Sequence, residues 1–395
     1  MPDERRARAR ARRSSSRARD VLPGSSAAAS SAGAVLDRHG PVAGTLVAWS
    51  AVTRSERRAD TRTWPAAADG VVLVDKPAGW TSHDVVGKIR YLARTRKVGH
   101  AGTLDPMATG VLVVGVGRAT RLLTYIVGAD KEYTATIRLG VSTTSDDAQG
   151  EVVAVADAAD VTDAQVHEGV HALTGDILQV PSTVSAIKVD GRRAYALARA
   201  GEEVELQARP VTVSRFDVHD VRRTSLDAPA EPEGATSTTV LDVDVTVVCS
   251  SGTYIRALAR DLGAALGVGG HLTALRRTRV GGYRGGATVD ELVAHVVDGD
   301  AALPLVPLAD AARAVMPVRD ADADEVVEIL HGRRIARRGE ADGPVGVVGP
   351  DGTLVAVGET VGEQVRPVAV LGTVPVGRAD GPGVPPAAGD ARGQE

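Results

Sequence analysis

The chain's 395 residues suit two or three domains with a sizeable core, and its formal net charge of −4 hides a division. Residues 1–68 hold 13 arginines against 6 acidic residues, a net +7, which leaves −11 on the remainder and excludes wholesale coating of the body by nucleic acid. A single cysteine, Cys249, excludes an internal disulfide, and no apolar window of about 18 residues or apolar signal segment occurs, so no membrane span or secretory signal is expected and a cytoplasmic location fits.

Residues 1–68 are rich in Arg, Ala, Ser and Gly without periodicity, and eight arginines fall within the first 19 positions; a disordered arm is expected, or a start codon chosen too early. The ordered body begins at Gly70-Val-Val-Leu-Val-Asp-Lys-Pro, a short strand ended by a turn. A helix follows, opened by the capping box Thr81-Ser-His-Asp84, with Val85, Val86, Ile89 and Leu92 at helical spacing. The loop Gly99-His-Ala-Gly-Thr-Leu-Asp-Pro-Met-Ala-Thr-Gly110 then carries one carboxylate, Asp105, between residues that turn sharply, and leads into a buried strand at Val111–Val116. Gly117-Arg-Ala-Thr-Arg-Leu-Leu reads as a helix. In Lys131–Leu139 the residues Tyr133, Ala135, Ile137 and Leu139 alternate with polar ones, as in a half-buried strand.

Residues 161–174 have helical spacing, and Gly175–Pro210 reads as a protruding segment that ends in a basic helix. A polar, Pro-containing stretch at 223–239 reads as a solvent loop. Leu241–Val248 reads as a strand, and Ser250-Ser-Gly-Thr-Tyr-Ile-Arg256 opens a helix with Ile255, Leu258, Ala259, Leu262 and Leu266 on one face. Strands and helices mix without a βαβ rhythm, so an α+β fold is expected. Short β-like runs at Val345–Val348, Thr353–Gly358 and Arg366–Val370 suggest a small β-rich domain over 303–373, and 374–395 reads as a disordered tail.

Basic residues cluster at Lys88–Lys97, at Lys188–Arg199 and at Arg276–Arg284, patches that a net charge conceals. His167-Glu-Gly-Val-His171 fits a zinc-binding pattern, but Gly169 weakens the helix and no third ligand follows. A Walker loop is absent, and Gly115-Val-Gly117 lacks the third glycine of a dinucleotide fingerprint. Asp105 as a phosphoryl-accepting nucleophile lacks the flanking residues of that chemistry.

The series Asp75-Lys-Pro-Ala-Gly-Trp-Thr-Ser, Gly99–Gly110, Lys131-Glu-Tyr, Asp146-Asp147-Ala-Gln-Gly, Val180-Pro-Ser-Thr-Val-Ser-Ala-Ile-Lys and Ser250–Arg256 resembles, in order and spacing over about 70–285, the TruB family of bacterial tRNA pseudouridine synthases. The resemblance implies a pseudouridine-synthase fold: a mixed, largely antiparallel central sheet flanked by helices over 69–302, with 175–210 gripping RNA and a PUA-like C-terminal β domain. It implies isomerisation of the TΨC-loop uridine, position 55 of tRNA, with base flipping and no cofactor or metal. The tRNA stem-loop is the implied partner, with no membrane, no obligate protein partner and a monomeric state.

By that resemblance Asp105 is the catalytic carboxylate, attacking C1′ or deprotonating the sugar. Arg256 is its partner, expected to lower the aspartate's pKa, and Tyr133 lies on the flipped base. His100, Lys76, Arg121, Asp147, Tyr254, Lys188 and Leu275 are implied as substrate- or RNA-binding positions. Arg121 stands where a lysine is common, Asp147 alone is carried over from a partly matched acidic pattern, and the arm has no counterpart. A tRNA-folding protein with secondary catalysis is the alternative; a glycosidase using Asp105 with Asp147 is disfavoured, since aromatic residues make up only 3% of the chain.

Overall fold

A computed structural model describes residues 63–182, 206–226 and 237–372, with two short strands at Lys188–Val189 and Arg192–Arg193. Residues 1–62, most of the segment 183–205, the centre of the expected loop at 227–236 and the tail from 373 onward lie outside the described residues.

In chain order the strands are β1 (Gly70–Lys76), β2 (Val98–Ala101), β3 (Thr109–Val116), β4 (Lys131–Leu139), the hairpin β5 (Val141–Thr143) and β6 (Val152–Val155), β7 (Gly175–Gln179), β8 (Lys188–Val189) and β9 (Arg192–Arg193). Next come β10 (Arg209–Leu226), β11 (Thr238–Cys249), β12 (Gly270–Val280), β13 (Tyr283–Arg284) and β14 (Ala287–Thr288). The main sheet runs β14-β1-β3-β12-β4-β11-β10-β7, with β2 also on β3 and β13 on β12; it is antiparallel except where β1 meets β14 and β3 meets β12.

Its faces follow the period of two. Val72, Val74, Leu112 and Val114 point into a core shared with the helices Ser82–Leu92, Asp163–Ala172 and Ile255–Ala265; their neighbours Val71, Val111 and Val113 point into a second core. Burial on both faces is why β3 reads as an unbroken apolar run. The helix Ser82–Leu92 opens with the Thr81/Asp84 capping box, and Asp163–Ala172 with one from Thr162 and Gln165. Among the described residues no helix is long and apolar enough to cross a membrane.

A second sheet follows, from β15 (Val318–Asp320), β16 (Ile335–Ala336), β17 (Pro344–Val348), β18 (Leu354–Val361) and β19 (Gln364–Val370), ordered β15-β17-β18-β19-β16. Leu354, Val357 and Leu371 share the second core with Val111 and Val113 of β3. Arg118, ion-paired to Asp69, donates to the carbonyl of Leu371 at 2.6 Å, so the small sheet is fastened to the large one.

Three expectations differ from the structure. The packed body reaches back into the expected arm: Trp64 is buried, its Nε1 donates to the Leu92 carbonyl at 2.9 Å, and its ring meets Tyr91 edge-on. The segment after β3 is a 3-10 helix, Gly117–Arg121, followed by a short α-helix, Leu123–Gly128. The edges of the stretch read as a loop at 223–239 are strand, because β10 and β11 pair from Val213↔Cys249 out to Leu226↔Thr238.

Candidate active site

The Asp105 loop joins β2 to β3 and is fixed by groups the sequence places far away. Gly102 takes φ +85° at its start. Ser82 Oγ, at the head of the first helix, accepts from Leu104 N at 2.9 Å and donates back to Leu104 O. Gly79 N donates to Pro106 O at 2.8 Å. Lys76, wholly buried, places its ammonium on the carbonyls of Pro77, Trp80 and Pro106 at 2.7–3.2 Å. Lys76 therefore braces the Asp105 turn from beneath. Burial pulls its pKa down to about 8, against the favourable charge of Asp105.

Arg256 projects from the first turn of the helix Ile255–Ala265 and is 4% exposed. Its Nε lies 3.0 Å from Asp105 Oδ2; its Nη1 lies 3.3 Å from Asp147 Oδ2 and donates to the Ser145 carbonyl at 2.9 Å. Asp147 is itself oriented by Ser145 Oγ at 2.6 Å and Gln149 N at 3.0 Å. One guanidinium thus bridges two carboxylates from separate loops.

The expected lowering of the Asp105 pKa does not win. The carboxyl opens onto a cavity, with 37% of the side chain exposed, yet protein surrounds it closely enough that desolvation holds it above the ordinary carboxylate range. Arg256 and Lys76 oppose that rise, and Asp147 adds to it.

The cavity has a volume of about 230 Å³ and is lined by Asp105, Tyr133, Tyr254, Arg256, Leu275 and Arg277, with Lys131, Leu104 and the Ser250–Thr253 turn. Tyr133 sits on β4 directly opposite Arg277 of β12 and Val247 of β11, so Tyr133 and Arg277 share a face. Burial pushes the Tyr133 phenol up, with the Arg277 guanidinium pulling the other way. Tyr254 is clamped at the backbone: its N donates to Gln179 Oε1 at 2.8 Å and its O accepts from Gln179 Nε2 at 3.0 Å. Gln179 ends β7, so the foot of the 175–210 segment is tied to the cavity wall.

Of the remaining positions, His100 and Arg121 are not among the residues that line the cavity. His100 is on β2 beside the cavity, its ring edge-on to His83 at 5.7 Å and its Nδ1 buried without a hydrogen-bond partner; burial lowers its pKa. Arg121 lies away from the cavity and bonds the carbonyl of Val370, because its 3-10 helix packs on the second sheet. The side chain of Lys188 lies outside the described residues. His167 and His171 lie on the solvent face of their helix.

Two cationic lining residues, Lys131 and Arg277, were given no site role from the sequence. Lys131 keeps the buried parity of β4, a signal the alternation carried; Arg277 was counted only as one member of a basic cluster. Lys131 Nζ donates to the carbonyls of Val127 and Ala129, both at 2.6 Å, and burial brings its pKa to about 8.

Residues 90–255 match the family description "TruB family pseudouridylate synthase (N terminal domain)". Residues 256–319 match "tRNA pseudouridylate synthase B C-terminal domain", and 316–372 match "tRNA Pseudouridine synthase II, C terminal". A tRNA pseudouridine synthase B of Arthrobacter sp. (strain FB24) is 58% identical over 312 residues, spanning 76% of this chain and 96% of its own. The protein of that name from Thermobifida fusca (strain YX) is 58% identical over 306 residues, 77% of this chain and 99% of its own. Among solved structures, a chain of "Crystal Structure of a Cbf5-Nop10-Gar1 Complex" is 26% identical, with a TM-score of 0.55, over 77% of this chain and 85% of that one.

Proposed function

This chain belongs to the TruB family of pseudouridylate synthases, and from that premise we propose how its own residues convert a uridine of tRNA to pseudouridine. It is an isomerase: the C1′–N1 bond of the uridine breaks, the base turns, and a C1′–C5 bond forms. The target in this reading is the TΨC-loop uridine. The observation that carries the mechanism is the Asp105–Arg256 pair, 3.0 Å apart at the wall of a cavity that also holds Tyr133.

A cavity of about 230 Å³ is below the ~300 Å³ at which sites for drug-sized ligands begin, a size suited to a single extruded nucleotide. No group on the enzyme reaches C1′ while the base stays stacked, so the uridine must leave the loop first. Tyr133 offers a flat face to the flipped base, and Leu275 and Tyr254 close the walls. Asp105, ionised, acts on the sugar by bonding C1′ or by taking the C2′ proton. Arg256 favours the ionised form and fixes the carboxylate's direction, much as carboxylates are held at the sugar in glycoside hydrolysis. Asp147 holds the far side of the same guanidinium.

For the rest of the chain, the segment 175–210 grips the stem-loop, the second sheet adds RNA contacts, and the protein acts as a monomer in the cytoplasm. The Gln179 clamp on Tyr254 supports the first of these, since it ties the gripping segment to the cavity. The test is tritium release from tRNA transcripts labelled at C5 of uridine. One equivalent per transcript is expected, falling to background when the TΨC-loop uridine is replaced by cytidine; release that persists after that replacement contradicts the assigned target.

A further inference from the structure

The groups around the cavity carry more positive charge than its carboxylates answer. Arg256 is engaged by both Asp105 and Asp147. Arg277, which also lines the cavity, is 1% exposed and held by carbonyls: Nε donates to Val111 O at 2.8 Å and Nη2 to Gly102 O at 3.1 Å. Lys131 is likewise held by two carbonyls. Neither cation forms an ion pair with a carboxylate among the described residues. A buried charge left without a counter-ion is costly, and a site that keeps one is built to receive an anion. Burial is the main cause of the lowered pKa values of Lys131, Lys76 and His100, and the positive charge of Arg277 adds to each.

We propose that Arg277, assisted by Lys131, is a further catalytic residue that takes up the negative charge leaving with the uracil. The inference rests on the isomerase reading above. When C1′–N1 breaks, the electron pair stays on N1 and the base departs as uracilate. Asp105 loses its charge in the same event, by bonding C1′ or by accepting the C2′ proton. One negative charge therefore moves from the carboxylate, where Arg256 answers it, to the base, where Arg277 does. As C5 then bonds to C1′, Asp105 recovers its charge by leaving C1′ or returning the proton to C2′; the C5 hydrogen leaves as a proton and N1 gains one, so the sum is an isomerisation. Tyr133, opposite Arg277 on the neighbouring strand, sets the base against this guanidinium.

The experiment compares single-turnover cleavage of TΨC stem-loops carrying uridine or 5-fluorouridine at the target, followed as loss of that nucleoside after digestion. Fluorine makes the base more acidic and a better leaving group, so it needs less help. Arg277→Met is expected to slow uridine about 100-fold, the scale of losing one oxyanion donor, and 5-fluorouridine about 10-fold, with tRNA affinity within about 2-fold of wild type. Equal slowing of both substrates overturns the proposal and leaves Arg277 a scaffold for Gly102 and Val111. Weakened binding with unchanged single-turnover rates overturns it in favour of a phosphate partner. If the methionine variant does not fold, Arg277→Lys makes the same comparison with a shorter cation, and the same inequality in smaller measure is expected. Failure of the wild type to turn over either substrate would strike the isomerase reading itself, and is a separate outcome.

Discussion

At the scale of the residue, the chemistry turns on which charges a half-enclosed carboxylate keeps. Burial raises the Asp105 pKa more than Arg256 and Lys76 lower it. Only the ionised form can bond C1′ or take a proton, so the single-turnover rate falls with decreasing pH through a midpoint above about 4, the ordinary carboxylate value. Arg256→Met removes the largest influence opposing that rise. The acid limb is then expected to move to higher pH, with the neutral-pH rate down at least about 10-fold, and a pH series checks both. Lys76 has the opposite sign of linkage: its folded pKa is about 8, below the unfolded value of about 10.4, so the unfolded chain binds more protons in that window. The wild type should gain stability relative to Lys76→Met as pH rises from about 8 to about 10.4, read from denaturant midpoints.

At the scale of the element, the site lies at the seam where β3 meets β12 in parallel over two residue pairs, Thr109↔Arg276 and Gly110↔Arg277. Gly110 takes φ +99°, and a Cβ there would lie 2.2 Å from the Arg277 carbonyl oxygen. Gly110→Ala must therefore strain the backbone and push β12 off β3. A loss of about 3 kcal/mol or more is expected in equilibrium unfolding, along with the catalytic rate. This seam marks the limit of what sequence patterns convey. The alternation in Lys131–Leu139, the capping box at Thr81 and the amphipathic face from Ile255 to Leu266 are local, so strand and helices could be read directly. Which strand Arg277 faces depends on a register fixed by contacts more than a hundred residues apart, and a bulge near Leu272 shifts its parity further. Arg277 consequently looked like surface charge. Asp105, Arg256 and Asp147 were legible through the motif series, but not the direction of the Asp105 pKa, which depends on how much protein encloses it.

At the scale of the whole molecule, the two sheets do not behave as beads on a string. Val111 and Val113 of the catalytic sheet share one buried cluster with Leu354, Val357 and Leu371 beyond it, and Arg118 fastens the end of the chain's last described strand. A chain cut after residue 302 would bare that apolar face. The intact protein should therefore melt in one calorimetric transition, and the truncated one should be insoluble or markedly less stable. The same rigidity keeps Asp105, Arg256 and Tyr133 in register while an RNA loop is opened against them. The most direct test of that account is Asp105→Asn, which keeps the size of the side chain and removes its charge. Tritium release from C5-labelled tRNA should fall to background while the melting transition and tRNA affinity stay within about 2-fold of wild type; near-wild-type release by the folded variant would contradict it.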